Sequence, residues 1–289
     1  MGNNYFNLPK EYSDYNKSQV VVLPCGLEKT TSYAKGTSRA PQAILEASHQ
    51  VEFYDEELES EPFKVGIHTL NELKFENMSL ENSFKMITSK ISPILDDKKL
   101  PLVIGGEHSI TPAIISAYKK FHKTMTVLQL DAHADLREEY DGTKLSHACA
   151  MARTREMCPV VHVGIRNLSK EEALLVKQNN LPVFFAYKTH NAANWIQQVV
   201  SSILTDDVYI SIDVDAFDSS IMPDTGTPEP GGLTWWDVTG LIKEVSKHKK
   251  IIGYDIVELL PRPDHHASDF MIAKLAYKCI GYWSSALTI

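Results

Sequence analysis

Seven short runs rich in Val, Ile and Leu recur along the chain: Gln19–Pro24, Pro101–Gly105, Met125–Asp131, Pro159–Gly164, Leu181–Phe185, Asp207–Asp213 and Lys250–Ile256. None alternates strictly between apolar and polar residues, which is how strands buried on both faces read. Phe63–Ile67 is a candidate eighth strand. Helical spacing fills the intervals. Phe84, Ile87, Ile91 and Ile94 fall three or four apart, and Pro93 is expected to kink or end that helix. Near the C-terminus, Ile272, Leu275, Ala276, Cys279 and Ile280 make a second apolar helix face. Strand–helix alternation of this kind predicts the α/β class, a parallel sheet covered on both faces. No repeat, low-complexity linker or break in composition divides the chain, so residues 1–289 read as a single domain.

Composition narrows the function more than the fold. Hydrophobic residues make up 43% and charged residues 23% of the 289, which excludes disordered, collagenous and disulfide-scaffold chains. The net charge of −8, from 29 basic and 37 acidic residues, disfavours nucleic acid and anionic membranes as partners and mildly favours a cationic ligand. Cys25, Cys149, Cys158 and Cys279 are scattered with no C-x-x-C pair, as expected for reduced thiols of a cytoplasmic protein. The stretch from Met1 to Asn16 is polar and broken by Pro9, unlike a signal peptide. Met1-Gly2 opens like an acylation site, but Phe6 stands where Ser or Thr is required. No apolar run approaches the roughly 18 residues that span a bilayer.

Ligands of open parallel sheets bind at the carboxyl ends of the strands, so the residues that follow each predicted strand matter most. Val103-Ile104 leads into Gly105-Gly106-Glu107-His108-Ser109, and Leu130 into Asp131-Ala132-His133-Ala134-Asp135. Ile212 leads into Asp213-Val214-Asp215, and Tyr254 into Asp255-Ile256-Val257-Glu258. Asp131, His133 and Asp135 share one face of an extended segment, as do Asp213 and Asp215. Four carboxylates in a crevice raise one another's pKa unless cations lie among them. Oxygen ligands with a minority of imidazoles suit Mn²⁺, and less often Zn²⁺, Ni²⁺ or Fe²⁺, and six such ligands exceed one tetrahedral zinc. Two ions about 3.5–4 Å apart would use them all. Gly105-Gly106 reads as a tight turn, since no Lys follows to make a phosphate loop.

The segments G-G-E-H-S, D-A-H-A-D, S-I-D-V-D-A-F-D and D-I-V-E together resemble the signatures of the ureohydrolase family of agmatinases and arginases. The resemblance is most like a prokaryotic agmatinase and runs nearly end to end. It includes Gly36–Ser48, Ser146–Cys149 and Thr225–Thr234. It implies a three-layer α/β/α sandwich on a mainly parallel eight-stranded sheet, a homo-oligomer (trimer or hexamer), and two Mn²⁺ per chain. His108, Asp131, Asp135 and Asp213 would hold one ion, and Asp131, His133, Asp213 and Asp215 the other. Two dications against four aspartates and a hydroxide leave one net negative charge, which suits a small guanidinium cation. By the same resemblance Asp135 orients the attacking hydroxide, Glu258 pairs with the guanidinium, and His147 passes a proton to the leaving amine. His265-His266 is expected to open the last helix, without a role in the chemistry.

Four departures from the family pattern stand out. Glu107 replaces a frequent Asp and, as a neighbour of a ligand, is expected to matter little. Ser219 replaces a frequent Pro, and Asp224 sits where Gly is common. Asp224 and the apolar pair Leu259-Leu260 are expected to alter the pocket wall. Arginases hold an α-carboxylate with Asn, Thr and Ser after D-x-H-x-D. Here Leu136–Leu145 carries Glu138, Glu139 and Asp141, which would repel a carboxylate and attract a distal ammonium, although Arg137 and Lys144 blunt the effect. Agmatine, cleaved to putrescine and urea, is the first expectation. N(1)-aminopropylagmatine follows, then guanidinobutyrate, arginine and formiminoglutamate. A non-catalytic relative that only binds a partner is the reading from a different class, and an empty metal site would favour it.

Overall fold

The structure is a computed structural model that describes residues 4–287; Met1, Gly2 and the two ends of the expected domain lie outside the described residues. Eight parallel strands form one sheet: β1 Val20–Cys25, β2 Ile67–Thr69, β3 Leu100–Gly105, β4 Thr126–Leu130, β5 Val160–Ile165, β6 Val183–Phe185, β7 Asp207–Asp213 and β8 Lys250–Val257. Their order across the sheet is β2-β1-β3-β8-β7-β4-β5-β6. Successive side chains of one strand enter opposite cores. Val20 and Val22 join one cluster with the helices Ala40–Ser48, Trp235–His248 and Ala267–Ala286; Val21, Leu23 and Cys25 join another with Leu80–Asp96 and Ile110–Tyr118. The sheet is thus buried on both faces, an α/β/α sandwich of three layers, which is why its strands lack polar alternation.

Each of the seven runs matches a strand to within two residues at either end, and the eighth strand starts four residues and ends two residues further on than expected. Pro62–Val65 is a 3-10 turn, and Gly66 at φ +80 redirects the chain into β2. Pro62 presets the turn and only glycine takes that φ at no steric cost, so the apolar Phe63 packs from the turn rather than from a strand. The helix Leu80–Asp96 continues one turn past Pro93 instead of ending there. Pro24 and Pro101 fit inside strands because each lies where one neighbouring ladder is absent: β2 pairs only as far as Val22, and β8 begins its pairing at Leu102. All four cysteines are free and buried. Among the described residues no helix is long and apolar enough to cross a membrane.

Candidate metal centre and pocket

The strands β3, β8, β7 and β4 stand side by side in the middle of the sheet, so the four segments that follow them meet at one edge. Glu107-His108 leaves β3, Glu258 leaves β8, Asp213 to Asp215 leaves β7, and Asp131 to Asp135 leaves β4. His108, Asp131 and Asp213 bring ligand atoms within 4.8 Å of one another, and so do Asp131, His133 and Asp215. Asp131 belongs to both groups. Asp213 falls in the first alone, and Asp135 joins through an oxygen 3.2 Å from His108 Nδ1.

His108 Nδ1 tests whether a cation fits. It is buried 3.1 Å from Asp131 Oδ2 and 3.4 Å from Asp213 Oδ2, yet it has no aligned hydrogen-bond partner. The other ring nitrogen, Nε2, lies 2.9 Å from Ser211 Oγ, whose own proton goes to Asp255 Oδ1 at 2.7 Å. Asp255 also accepts Thr111 Oγ1 and Tyr209 Oη. A hydroxyl committed to a carboxylate can only accept from the ring, so Nε2 carries the hydrogen and Nδ1 offers its lone pair to the carboxylate cluster. The residues present fit a hard divalent ion.

The electrostatics agree. Burial, Asp215 and Asp131 push Asp213 well above the usual carboxylate range, and burial with Asp131 raises Asp135. Burial opposes ionisation of Asp131 too, but His108 and His133 beside it bring it below that range. Burial would lower His133, but Asp215 and Asp131 outweigh it and push the imidazole up to about 12. Burial would lower His108 as well, but Asp131, Asp135 and Asp213 outweigh it and raise it. The bare cluster thus draws protons onto its imidazoles, a positive charge that a bound divalent ion would supply in their place.

Local backbone geometry aims these groups. Asp135 has φ +51, which turns its carbonyl to accept Met151 and Ala152 N–H while its carboxylate faces His108. Glu258 has φ +67; its N–H donates to the Gly106 carbonyl and its Oε1 accepts His108 N–H at 2.7 Å. Burial pushes the Glu258 carboxyl up to about 8, with Glu107 contributing. Two non-glycine residues at positive φ in one site mark strain held by the surrounding fold.

A cavity of about 170 Å³ opens above the cluster, lined by His108, His133, Asp135, His147, Asp213, Asp215 and Glu258. That is small beside the about 300–1,000 Å³ of drug-sized sites, and suits a slender molecule. Asp131 lies fully buried beneath it. Five carboxylates and one guanidinium, Arg137, line the wall. Of the loop Leu136–Leu145 only Arg137 and Tyr140 reach the cavity. Glu138 is turned outward and paired with Lys144 and Arg153, both at 2.7 Å, and neither Glu139 nor Asp141 lines the wall. Of the expected acidic lure, Glu138 is spent on neighbouring cations and the other two lie off the wall.

Several supporting residues escaped the sequence reading. Gln129 donates to Asp131 Oδ2 at 2.6 Å and accepts from His162 beneath the site. Arg166 donates to the carbonyls of Gly164, Asp215, Phe217, Glu229 and Pro230, tying the segment after β7 to the end of β5. Glu107 is fully buried and accepts Lys29 N–H, Thr30 N–H, Thr30 Oγ1 and Ser109 Oγ, so its flanking position did not make it incidental. Asp224, also fully buried, is held by Arg262, His265 and Ser268, and His266 precedes the last helix. One signal was available: each of Thr30, Glu107 and Arg166 follows the carboxyl end of a strand.

The family model described as "Arginase family" matches residues 18–281. The chain is 38% identical to the N(1)-aminopropylagmatine ureohydrolase of Synechocystis sp. over 98% of this chain and 97% of that protein. It is 35% identical to the N(1)-aminopropylagmatine ureohydrolase of Thermus thermophilus, over 92% of this chain and 91% of that one. Among solved structures, the agmatine ureohydrolase of Thermoplasma volcanium superposes with a TM-score of 0.89 at 28% identity, covering 100% of this chain and 96% of that chain.

Proposed function

The chain belongs to the arginase family and is a ureohydrolase, and from that premise we propose that its substrate is N(1)-aminopropylagmatine, cleaved to urea and a linear polyamine with two Mn²⁺ bound per chain. The observation that carries the reading is the convergence of His108, Asp131, His133, Asp135, Asp213 and Asp215, from the segments that follow β3, β4 and β7, beneath a narrow acidic cavity. The names of the Synechocystis and Thermus relatives favour the aminopropyl substrate over agmatine, reversing the order expected from the sequence. Agmatine remains the second reading, on the likeness to the Thermoplasma agmatine ureohydrolase.

His108, Asp131, Asp135 and Asp213 would hold one manganese ion, and Asp131, His133, Asp213 and Asp215 the other. When bound, the pair supplies the Lewis acidity that makes water a nucleophile near neutral pH. Glu258 would hold the planar guanidinium by a charge-assisted, two-point contact. Asp135 orients the nucleophile, and His147 on the cavity wall delivers a proton to the departing amine nitrogen. Urea and the amine leave as neutral and protonated products, so the atoms of one water are fully accounted for. We propose further that the protein works in the cytoplasm as one domain per chain within a trimer or hexamer. Exposed Tyr187, Trp236 and Ile221 around one groove support self-association.

The test is urea release from aminopropylagmatine, agmatine, guanidinobutyrate and arginine with the manganese-loaded enzyme. The highest kcat/KM is expected for aminopropylagmatine, with guanidinobutyrate and arginine lowest, because their carboxylate meets a wall of five carboxylates and a single guanidinium, Arg137. Agmatine turning over best would restore the second reading. Arginine turning over best would overturn both.

A further inference from the structure

Thr30 bridges two groups that the chemistry above treats separately. Its hydroxyl donates to Glu107 Oε1 at 2.9 Å, and the same oxygen accepts the backbone N–H of His147 at 3.0 Å. It also lies 3.3 Å from His147 Nδ1. A threonine hydroxyl has one hydrogen, and here a carboxylate takes it. Towards the imidazole the oxygen can therefore only accept, which requires the hydrogen of the neutral ring to be on Nδ1. No protein hydrogen bond engages Nε2 among the described residues, and the ring lines the cavity. Ser146 Oγ, also 3.3 Å from Nδ1, can share that hydrogen.

The other end of the relay is fixed as firmly. Glu107 Oε2 accepts the N–H groups of Lys29 and Thr30 at 2.7 and 2.6 Å, and these donors cannot reverse. Oε1 accepts two hydroxyls, Thr30 and Ser109, which can. Glu107 is fully buried, so water does not compete for either oxygen.

We propose that Glu107 and Thr30 are positioning residues that hold His147 in the Nδ1–H tautomer, leaving Nε2 to receive and release the proton passed to the leaving amine. The inference rests on His147 having that role. A ring locked this way shuttles through Nε2 without ever becoming anionic, whereas the opposite tautomer has no lone pair on the nitrogen that faces the cavity.

Glu107→Gln tests the direction of the relay at constant shape. Its single carbonyl oxygen must stay on the Oε2 side for the two backbone donors, so the NH₂ group meets Thr30. The hydroxyl then accepts from Gln and turns its hydrogen onto His147 Nδ1. Expected is a fall in kcat of about 10–100-fold, short of the roughly 10²–10⁴-fold of general acid–base assistance itself because the imidazole stays in place, with KM little changed and manganese content by elemental analysis unchanged. Thr30→Val should show the same split, and Thr30→Ser should recover most of the loss. In a His147→Asn background neither substitution should cost anything further, the non-additivity of a shared step. An equal cost in both backgrounds would make the pair merely structural and overturn the proposal. So would a loss produced by Ser146→Ala but by neither Glu107→Gln nor Thr30→Val. A His147→Asn enzyme as active as the wild type would overturn the role of His147 itself, a result distinct from failure of the relay.

Discussion

At the scale of single residues, Glu258 carries the most for its size. It closes β8 at positive φ, satisfies the His108 N–H, and faces the cavity with a carboxyl whose pKa burial lifts to about 8. In the proposed reaction a substrate guanidinium would compensate that buried charge, so binding and folding requirements would meet in one side chain. Glu258→Gln keeps the bond to His108 and removes the charge. The expected loss in kcat/KM is about 2–5 kcal/mol, as for truncating one partner of a desolvated pair, with two manganese ions still bound. Turnover at the wild-type rate would remove Glu258 from the site. Asp131→Asn should act in the opposite way: because Asp131 belongs to both ligand groups, metal content should fall along with activity. The candidate ligands were legible in the sequence because each follows a buried strand and no apolar core tolerates unpaired carboxylates there. The roles of Glu138 and Glu107 were not. Glu138 reads as acidic lining but is neutralised by Lys144 and by Arg153, fifteen residues away, while Glu107 reads as a bystander because its four donors come from segments distant in sequence or from a hydroxyl whose direction no pattern records.

At the scale of elements, the strands themselves were legible and their order was not. Unbroken Val/Ile runs report burial on both faces, but nothing in a run states which neighbour it pairs with. That β8 inserts between β3 and β7 is what makes four sequence-distant turns into one site. The eighth strand was misplaced because apolar Phe63 reads the same in a 3-10 turn as in a strand, and the Gly66 that ends the turn is one residue before β2. The β3-to-helix turn shows how tightly such elements are set. A Cβ on Gly106 would lie 2.2 Å from the Leu27 carbonyl oxygen, with backbone on both sides of the clash. Gly106→Ala should therefore destabilise the fold, and move His108 and Glu258, which hydrogen-bond across this turn. The check is manganese affinity at a temperature where the variant remains folded. Unchanged affinity would show that the turn relaxes without disturbing the ligands.

At the scale of the whole molecule, the last helix is fastened to the segment after Val51 by charges rather than by apolar contact alone. Lys278, buried on that helix, pairs with Asp55 and Glu57 at 2.9 Å each, and Glu57 also takes Lys243 at 2.8 Å and the Tyr282 hydroxyl at 2.7 Å. Burial opposes the ionisation of Glu57, but Lys243, Tyr282 and Lys278 outweigh it and bring its carboxyl down to about 2 from an ordinary 4.5. The folded pKa is thus the lower one, so the unfolded chain takes up the proton first as the pH falls. Stability from Glu57 is complete above about pH 4.5, declines below it, and is gone near pH 2. Glu57→Gln should accordingly lower Tm at neutral pH by about 2–4 °C, corresponding to about 1 kcal/mol for a partly exposed carboxylate. The gap to the wild type should shrink below pH 4.5 and vanish near pH 2. Both proteins need to be compared after chelation, because acid also protonates the metal ligands and ligand loss shifts Tm by itself. A gap of the same size at pH 7 and pH 3 would mean that Glu57 contributes through packing, and that the charges around Lys278 do not fasten the helix.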